Sequence, residues 1–315
     1  MTTQGRELLV AAPERWDEAC FAVPALRALM ASGMSVGVIC RDEQQDLWQS
    51  LADLEVLAFP AMTKAKEVAA TLRGAWQAAL VWVPGMAAEA AHLAGVPRRL
   101  GPAVRPLHKL LTQQLGCAGQ PMEHRVRFYL SAVEEMGIAT DQPGFFAPAT
   151  PASATRPETV LLCPDSDFGP NHEWLLDRWL EIASLLVEDN RRVAVAQLSG
   201  GRGMGAALAN QLGAGAARVH VPPLGGVLAM LAGYGLVIAA DGSLPHLAAH
   251  AGATCVTLFG PNDPVWKRPL GRRHAVVRRH VECAPCLLGK CPLDGRCQRE
   301  LATARVWAAV REKLA

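Results

Sequence analysis

Apolar residues along this chain come in short continuous runs, separated by stretches where they return every three or four positions. Residues 8–12 form the first run and predict a strand. Residues 18–32 follow, with Val23, Leu26, Leu29 and Met30 on one helical face. Runs at 35–40, 56–59 and 79–83 predict further strands, and 63–74 a helix between two of them. Helical spacing returns at 107–115 and at 123–136, the latter ended by Gly137. Between 141 and 157 the texture changes to small residues and four prolines, Pro143, Pro148, Pro151 and Pro157, which reads as a linker. The alternation then restarts. Strands are predicted at 159–163, 192–198, 219–221, 236–240 and 255–259, and helices at 174–188, 204–212, 226–233, 243–251 and finally 301–314. Two such series imply an α/β chain of two Rossmann-like domains, 1–140 and 158–315, joined by the linker 141–157. A ligand is expected in a crevice between them.

Composition narrows this reading. At 315 residues, 50% of them hydrophobic and 19% charged, each half can bury its own core. A formal net charge of +2 argues against a general nucleic-acid binder. Arg6 is followed at once by the apolar run and then by Pro13, Glu14 and Arg15, which is not a signal-peptide pattern. No apolar run approaches the roughly 20 residues that span a bilayer, so a soluble, cytoplasmic protein is expected. Arg98, Arg99 and Arg105 stand close in sequence to Lys109. They make either a solvated face or a seat for an anionic ligand, since guanidinium matches phosphate and carboxylate geometry.

The most informative stretch is 236–264. An apolar strand ends in Asp241-Gly242-Ser243, and a helix follows through Pro245 and His246. A glycine turn between strand and helix can bring backbone N–H groups and the helix dipole onto a phosphate. The alternative is that Asp241 or Ser243 merely caps the helix and that His246 is structural. Cys20, Cys40, Cys117, Cys163 and Cys255 are scattered as small core residues. Cys283, Cys286, Cys291 and Cys297 form a C-x2-C-x4-C-x5-C array broken by Pro285, Gly289, Pro292 and Gly295. That array can surround one zinc or iron, or remain as packed thiols or disulfides.

The segment Asp241-Gly242-Ser243-Leu244-Pro245-His246-Leu247-Ala248-Ala249, followed by Phe259-Gly260-Pro261-Asn262-Asp263-Pro264, resembles glycosyltransferase family 9, which contains the lipopolysaccharide heptosyltransferases. The family order is Asp-[Thr/Ser]-Gly-x-x-His-x-x-Ala, so Gly242 and Ser243 stand exchanged here. Pro164-Asp165-Ser166-Asp167-Phe168-Gly169, followed by His172 and Trp174, resembles the family's Pro-Gly-Ala-x-x-Gly-x-x-Lys-x-Trp. His172 takes the place of the donor-contacting lysine, and Asp165 that of the glycine. Asp17, seven residues before Pro24-Ala25-Leu26, falls on the family's Gly-Asp motif, with Trp16 in place of the glycine. Residues 94–101 resemble a further family turn.

The resemblance implies two facing Rossmann-like lobes of the GT-B type and inverting transfer of a sugar from a nucleotide-diphosphate donor to a glycan or glycolipid hydroxyl. Asp17 would be the general base, with helix charge as its alternative role; Glu18 is a weaker candidate. Ser166, His172, Asp241, Gly242, Ser243 and His246 would hold the donor. Arg98, Arg99 and Arg105 would face an anionic acceptor on the N-terminal side. No cofactor is required for catalysis, a structural metal at the four cysteines need not touch it, and peripheral contact with the inner membrane surface would suit a glycolipid acceptor. The other reading is a non-catalytic nucleotide- or carbohydrate-binding descendant, favoured by Trp16 and His172. The stretch 199–205 carries no acid with which to read a donor ribose or base.

Overall fold

The computed structural model describes residues 6–116, 123–149, 156–198, 203–222 and 225–315. Cys117 and the segments 150–155 and 199–202 lie outside the described residues. The chain divides into two compact units, Met1–Ala147 and Pro148–Ala315.

The N-terminal unit runs β1 (Leu8–Ala11), α1 (Trp16–Ala31), β2 (Val36–Arg41), α2 (Gln45–Gln49), β3 (Glu55–Phe59), α3 (Ala65–Leu72), β4 (Ala78–Val81), α4 (Met86–Leu93), β5 (Arg98–Pro102), β6 (Gln113–Leu115) and α5 (Val126–Glu135). Its strands form one sheet in the order β3-β2-β1-β4-β5-β6, every pairing parallel. Such a sheet is covered on both faces, and β1 accordingly is a fully buried Leu8-Leu9-Val10-Ala11.

The C-terminal unit runs β7 (Arg156–Cys163), α6 (Leu176–Glu188), β8 (Arg192–Gln197), α7 (Met204–Leu212), β9 (Ala216–His220), α8 (Val227–Ala232), β10 (Tyr234–Ala240), α9 (Leu244–Ala251), β11 (Thr254–Phe259), α10 (Pro264–Lys267), β12 (Ala275–Arg278), α11 (Arg296–Arg299) and α12 (Thr303–Leu314). Its sheet has the order β12-β11-β10-β7-β8-β9, again all parallel. Val160, Leu162, Ile238, Val256 and Leu258 from the strands pack with Trp174, Trp179 and Ile182, and Val306 and Val310 of α12 close the same core.

Two sequence expectations need correction. Residues 107–115 are not a helix: a short 3-10 turn at Arg105–Leu107 leads into β6, an edge strand with Gln113 and Gln114 exposed. Residues 98–101, read as part of a turn, lie in β5, which opens on two arginines and therefore lacks an apolar run. The elements α2, α4, α10, β12 and α11 were not foreseen.

In each sheet the connections leave in opposite directions at one place, between β1 and β4 and between β7 and β10. The carboxyl ends of such strand pairs are where open α/β sheets bind ligands. The turn entering α1 lies at the first switch point; the loops after β7 and β10 lie at the second.

Candidate active site

At the switch point of the C-terminal unit, neighbouring strands bring together residues far apart in sequence. The Asp241 side chain, 0% exposed, accepts a hydrogen bond at Oδ2 from His172 Nδ1 at 3.0 Å and another from Asn262 Nδ2 at 2.7 Å. Ser166 Oγ donates to the Asp241 carbonyl at 2.6 Å, tying the loop after β7 to the turn after β10. Burial pushes the Asp241 carboxyl up, against the lowering pull of His172, Asn262 and Lys267. Its Oδ1 has no hydrogen-bond partner among the described residues. Lys267 is itself buried, its ammonium 5.5 Å from the centre of the Phe168 ring and 5.4 Å from that of Trp266.

The structure thus gathers Ser166, His172, Asp241, Gly242, Ser243 and His246 around one strand-to-helix turn, His246 buried in the first turn of α9. Asn262 and Lys267 belong beside them. The signal for Asn262 was its place just after β11, the strand next to β10. His172 sits where the family places its phosphate lysine, but its ring is turned onto Asp241.

Two aspartates of the loop after β7 also cap helices. Asp165 Oδ1 accepts from Gly205 N at 2.9 Å and Oδ2 from Leu198 N at 3.3 Å, so the region after β8 draws an acid from a different loop. Gly205 permits this approach, since a Cβ there would stand 2.7 Å from Asp165 Oδ2. Asp167 Oδ1 and Oδ2 take the backbone N–H and the hydroxyl of Ser243, at 2.7 and 2.6 Å.

In the N-terminal unit Asp17 is the second residue of α1 and is fully buried. Arg15 pairs with it through two guanidinium nitrogens, Nε to Oδ1 at 3.1 Å and Nη2 to Oδ2 at 3.2 Å. The Arg15 side chain is 58% exposed, so this partner approaches from the solvent side. Trp16, the first residue of α1, is half-buried. Glu18 is unsuited to replace Asp17, because Arg125 Nε donates to it at 2.8 Å and Tyr129 Oη donates to the same oxygen.

The three arginines do not form one patch. Arg98 opens β5, paired in register with Ala78, at the amino-terminal edge of the sheet. There it lines a cavity of about 550 Å³ with Glu7, Met34 and Glu135. Arg105 follows the carboxyl end of the same strand and is exposed. Arg99 spends its guanidinium on backbone carbonyls, those of Leu110 at 2.6 Å and of Val96. A strand separates what the sequence places side by side.

The cysteine segment also departs from expectation. None of its four thiols is in a disulfide; Cys283 is exposed and Cys297 buried. Burial pushes the Cys297 thiol up, with a smaller raising contribution from Cys283, Cys286 and Cys291 nearby. Yet among the described residues no three His, Cys, Asp or Glu side chains form a group that could hold a metal ion. The segment is not remote from the candidate site either. Leu287 N donates to the Pro261 carbonyl at 2.9 Å, Asn171 Nδ2 to that of Leu288 at 2.7 Å, and Gln298 Nε2 to that of His172 at 3.1 Å. It braces the loops that carry His172 and Asn262. No helix among the described residues is long and apolar enough to cross a membrane.

Known proteins resemble the chain. Lipopolysaccharide heptosyltransferase 1 of Pseudomonas aeruginosa is 32% identical over 121 residues, a stretch spanning 38% of this chain and 33% of that protein. The crystal structure of a family 9 glycosyltransferase from Veillonella parvula superposes with a TM-score of 0.81 at 14% identity, covering 98% of this chain and 97% of that one. The ADP-heptose lipopolysaccharide heptosyltransferase II of E. coli gives 0.74 at 18% identity, covering 98% of both chains. At these identities the structural likeness is one of fold. Residues 90–296, which take in β5, the loop after β7, the turn at Asp241 and most of the cysteine segment, match the profile of glycosyltransferase family 9 (heptosyltransferase). With the Asp241–His246 turn set at a switch point of a two-sheet fold, the chain belongs to glycosyltransferase family 9.

Proposed function

We propose that the protein transfers a sugar, heptose from ADP-heptose, to a hydroxyl of a lipopolysaccharide-type glycan acceptor, with inversion at the anomeric carbon. The observation that carries this reading is the turn between β10 and α9, which presents the N–H of Ser243 at a switch point within the family-matched segment. The donor's diphosphate would rest on Gly242 and Ser243, where backbone N–H groups and the helix dipole offset the charge that grows on the leaving phosphate. Ser166 and His172 then act as positioning residues: both bond to Asp241 and hold the turn in place. Buried without a donor, Asp241 Oδ1 would be satisfied by a hydroxyl of the bound nucleotide sugar.

Asp17 would take the proton from the acceptor hydroxyl as that oxygen attacks the anomeric carbon. Its carboxylate must first be uncovered by movement of Arg15, which the exposure of Arg15 allows. Arg105 is the arginine of the three placed at the carboxyl edge with Asp17, so it is the one to meet an anionic acceptor. A glycolipid acceptor would bring the protein to the inner membrane surface from the cytoplasmic side, without a spanning helix. No step is assigned to a metal at the cysteine segment, since its thiols do not form a ligand set.

A second reading, a binding protein that no longer catalyses transfer, draws support from the complete burial of Asp17 and from Asp167 lying on the donor seat. One assay separates the two. ADP-heptose is offered with a heptose-deficient lipopolysaccharide core, and release of ADP is followed alongside the ADP-induced rise in melting temperature. Transfer predicts both signals. A melting rise without ADP release favours the binding protein, and the absence of both removes the donor seat.

A further inference from the structure

One departure from the family pattern in the C-terminal unit has a counterpart beside it. Gly242 and Ser243 stand in exchanged order, and the loop after β7 carries Asp167 at a position the family pattern leaves open. A Cβ added at position 242 would stand 2.8 Å from Asp167 Oδ1, so a serine there would displace the carboxylate from Ser243. A serine at 243 instead supplies both its N–H and its hydroxyl, at 2.7 and 2.6 Å, to the two carboxylate oxygens. The exchange removes a side chain where the carboxylate must pass and adds a donor where it must land. Together Asp167 and the exchanged order make a two-point clamp for an internal anion.

We propose that Asp167 is a resident competitor for the donor's diphosphate and thereby sets donor affinity; this rests on the donor seat described under the proposed function. The carboxylate occupies the Ser243 N–H to which a phosphate oxygen would bind. Asp167 is exposed whereas Ser243 is buried, so the side chain can swing into water while the seat stays formed. The root of the loop is fixed independently: Ser166 Oγ donates to the Asp241 carbonyl at 2.6 Å and accepts from Phe168 N at 3.1 Å. The hydrogen bonds lost when Asp167 leaves are regained by phosphate oxygens at the same N–H and O–H. The charge is not exchangeable in this way, because a carboxylate and a phosphate at one seat repel each other.

The test uses the full chain with Asp167→Asn and Asp167→Ala, and calorimetric titration with ADP, with inorganic pyrophosphate and with adenosine. Asp167→Asn keeps the size of the side chain and one acceptor oxygen, so it reports on charge even where Asp167→Ala loosens the loop. Both variants are expected to bind ADP and pyrophosphate more tightly than the parent by about tenfold, the equivalent of about 1.4 kcal/mol. Adenosine, which lacks phosphate, should bind equally in all three. ADP bound by the parent with an affinity that Asp167→Asn leaves unchanged or weakens overturns the competitor while leaving the donor seat standing. Adenosine tightened as much as ADP would trace the gain to loop loosening and also overturn it. Failure of parent and variants alike to bind ADP or pyrophosphate would overturn both the competitor and the seat.

Discussion

At the switch point of the N-terminal unit Asp17 opens α1 and is met by Arg15 from the solvent side, whereas at that of the C-terminal unit Asp241 ends β10 and is held from within by His172 and Asn262. Topology places an acid at the same point twice, and the surroundings give the two acids different work. An ion pair whose cation reaches solvent, as Arg15 does, opens more readily than one sealed on both sides. A buried carboxylate bonded to two buried donors cannot be released without stranding them. The first arrangement suits a group that must be uncovered to take a proton. The second suits a group that shapes a turn and never leaves it.

The largest effect should come from removing the acid assigned to chemistry. Asp17→Asn keeps the shape of the side chain and should lower turnover by about 10²–10⁴-fold, with ADP affinity unchanged. Full turnover in this variant would end the assignment of Asp17 as base. Asp241→Ala should instead show itself in folding. Stranding His172 and Asn262 is expected to cost about 2–6 kcal/mol in denaturant unfolding, about 1–3 for each buried group left without its partner. A loss under about 1 kcal/mol would mean that the network does not hold the turn.

Within the C-terminal unit two buried groups respond to pH in opposite senses. His274, in the C-terminal unit, accepts a hydrogen bond at Nδ1 from Cys255 N at 3.1 Å and donates from Nε2 to the Leu270 carbonyl at 2.9 Å. Burial lowers its pKa from 6.5 to about 4. Its neutral form is the folded form, so its contribution to stability is complete above pH 6.5 and is lost as pH falls toward about 4. Across that window the unfolded chain takes up a proton that the folded chain refuses, a difference of about 3 kcal/mol. Asp241 works in the opposite direction, since a raised carboxylate pKa makes its burial more costly as pH rises. Denaturant unfolding at pH 7 and pH 4.5 should show the acid loss in the parent and a flatter response in His274→Gln. Equal slopes in both would clear His274 of the effect.

How far the sequence foretold these turns depended on which strands lie next to one another. β1, β10 and β11 were legible because a parallel strand buried on both faces is a continuous apolar run. β5 and β6 were not, because Arg98, Arg99, Gln113 and Gln114 hide the pattern at the side of the sheet. Asp241-Gly242-Ser243 could be read as a strand end meeting a helix start, a local feature. That His172 and Asn262 converge on Asp241 could not be read locally, since it follows from β7 and β11 flanking β10. The arginine group misled in the reverse sense: Arg98 and Arg105 are close in sequence, but the length of β5 puts them at opposite edges of the sheet.

The smallest expected effect bears most directly on the contrast between the two acids. Arg15→Ala removes the exposed partner of Asp17 while leaving the first-turn position of the acid in α1 unchanged. If the pair is the releasable cover described above, unfolding stability should change by less than about 1 kcal/mol. Turnover should hold or rise a few-fold, because the base is uncovered before the acceptor arrives. In an Asp17→Asn background the same change should have no effect on turnover, and a double-mutant cycle would assign the gain to this one pair. A loss of several kcal/mol in Arg15→Ala would instead show that Asp17 is a buried charge dependent on its partner, as Asp241 is. The N-terminal turn would then have no carboxylate free for proton transfer, and the binding-protein reading would gain what the transferase loses.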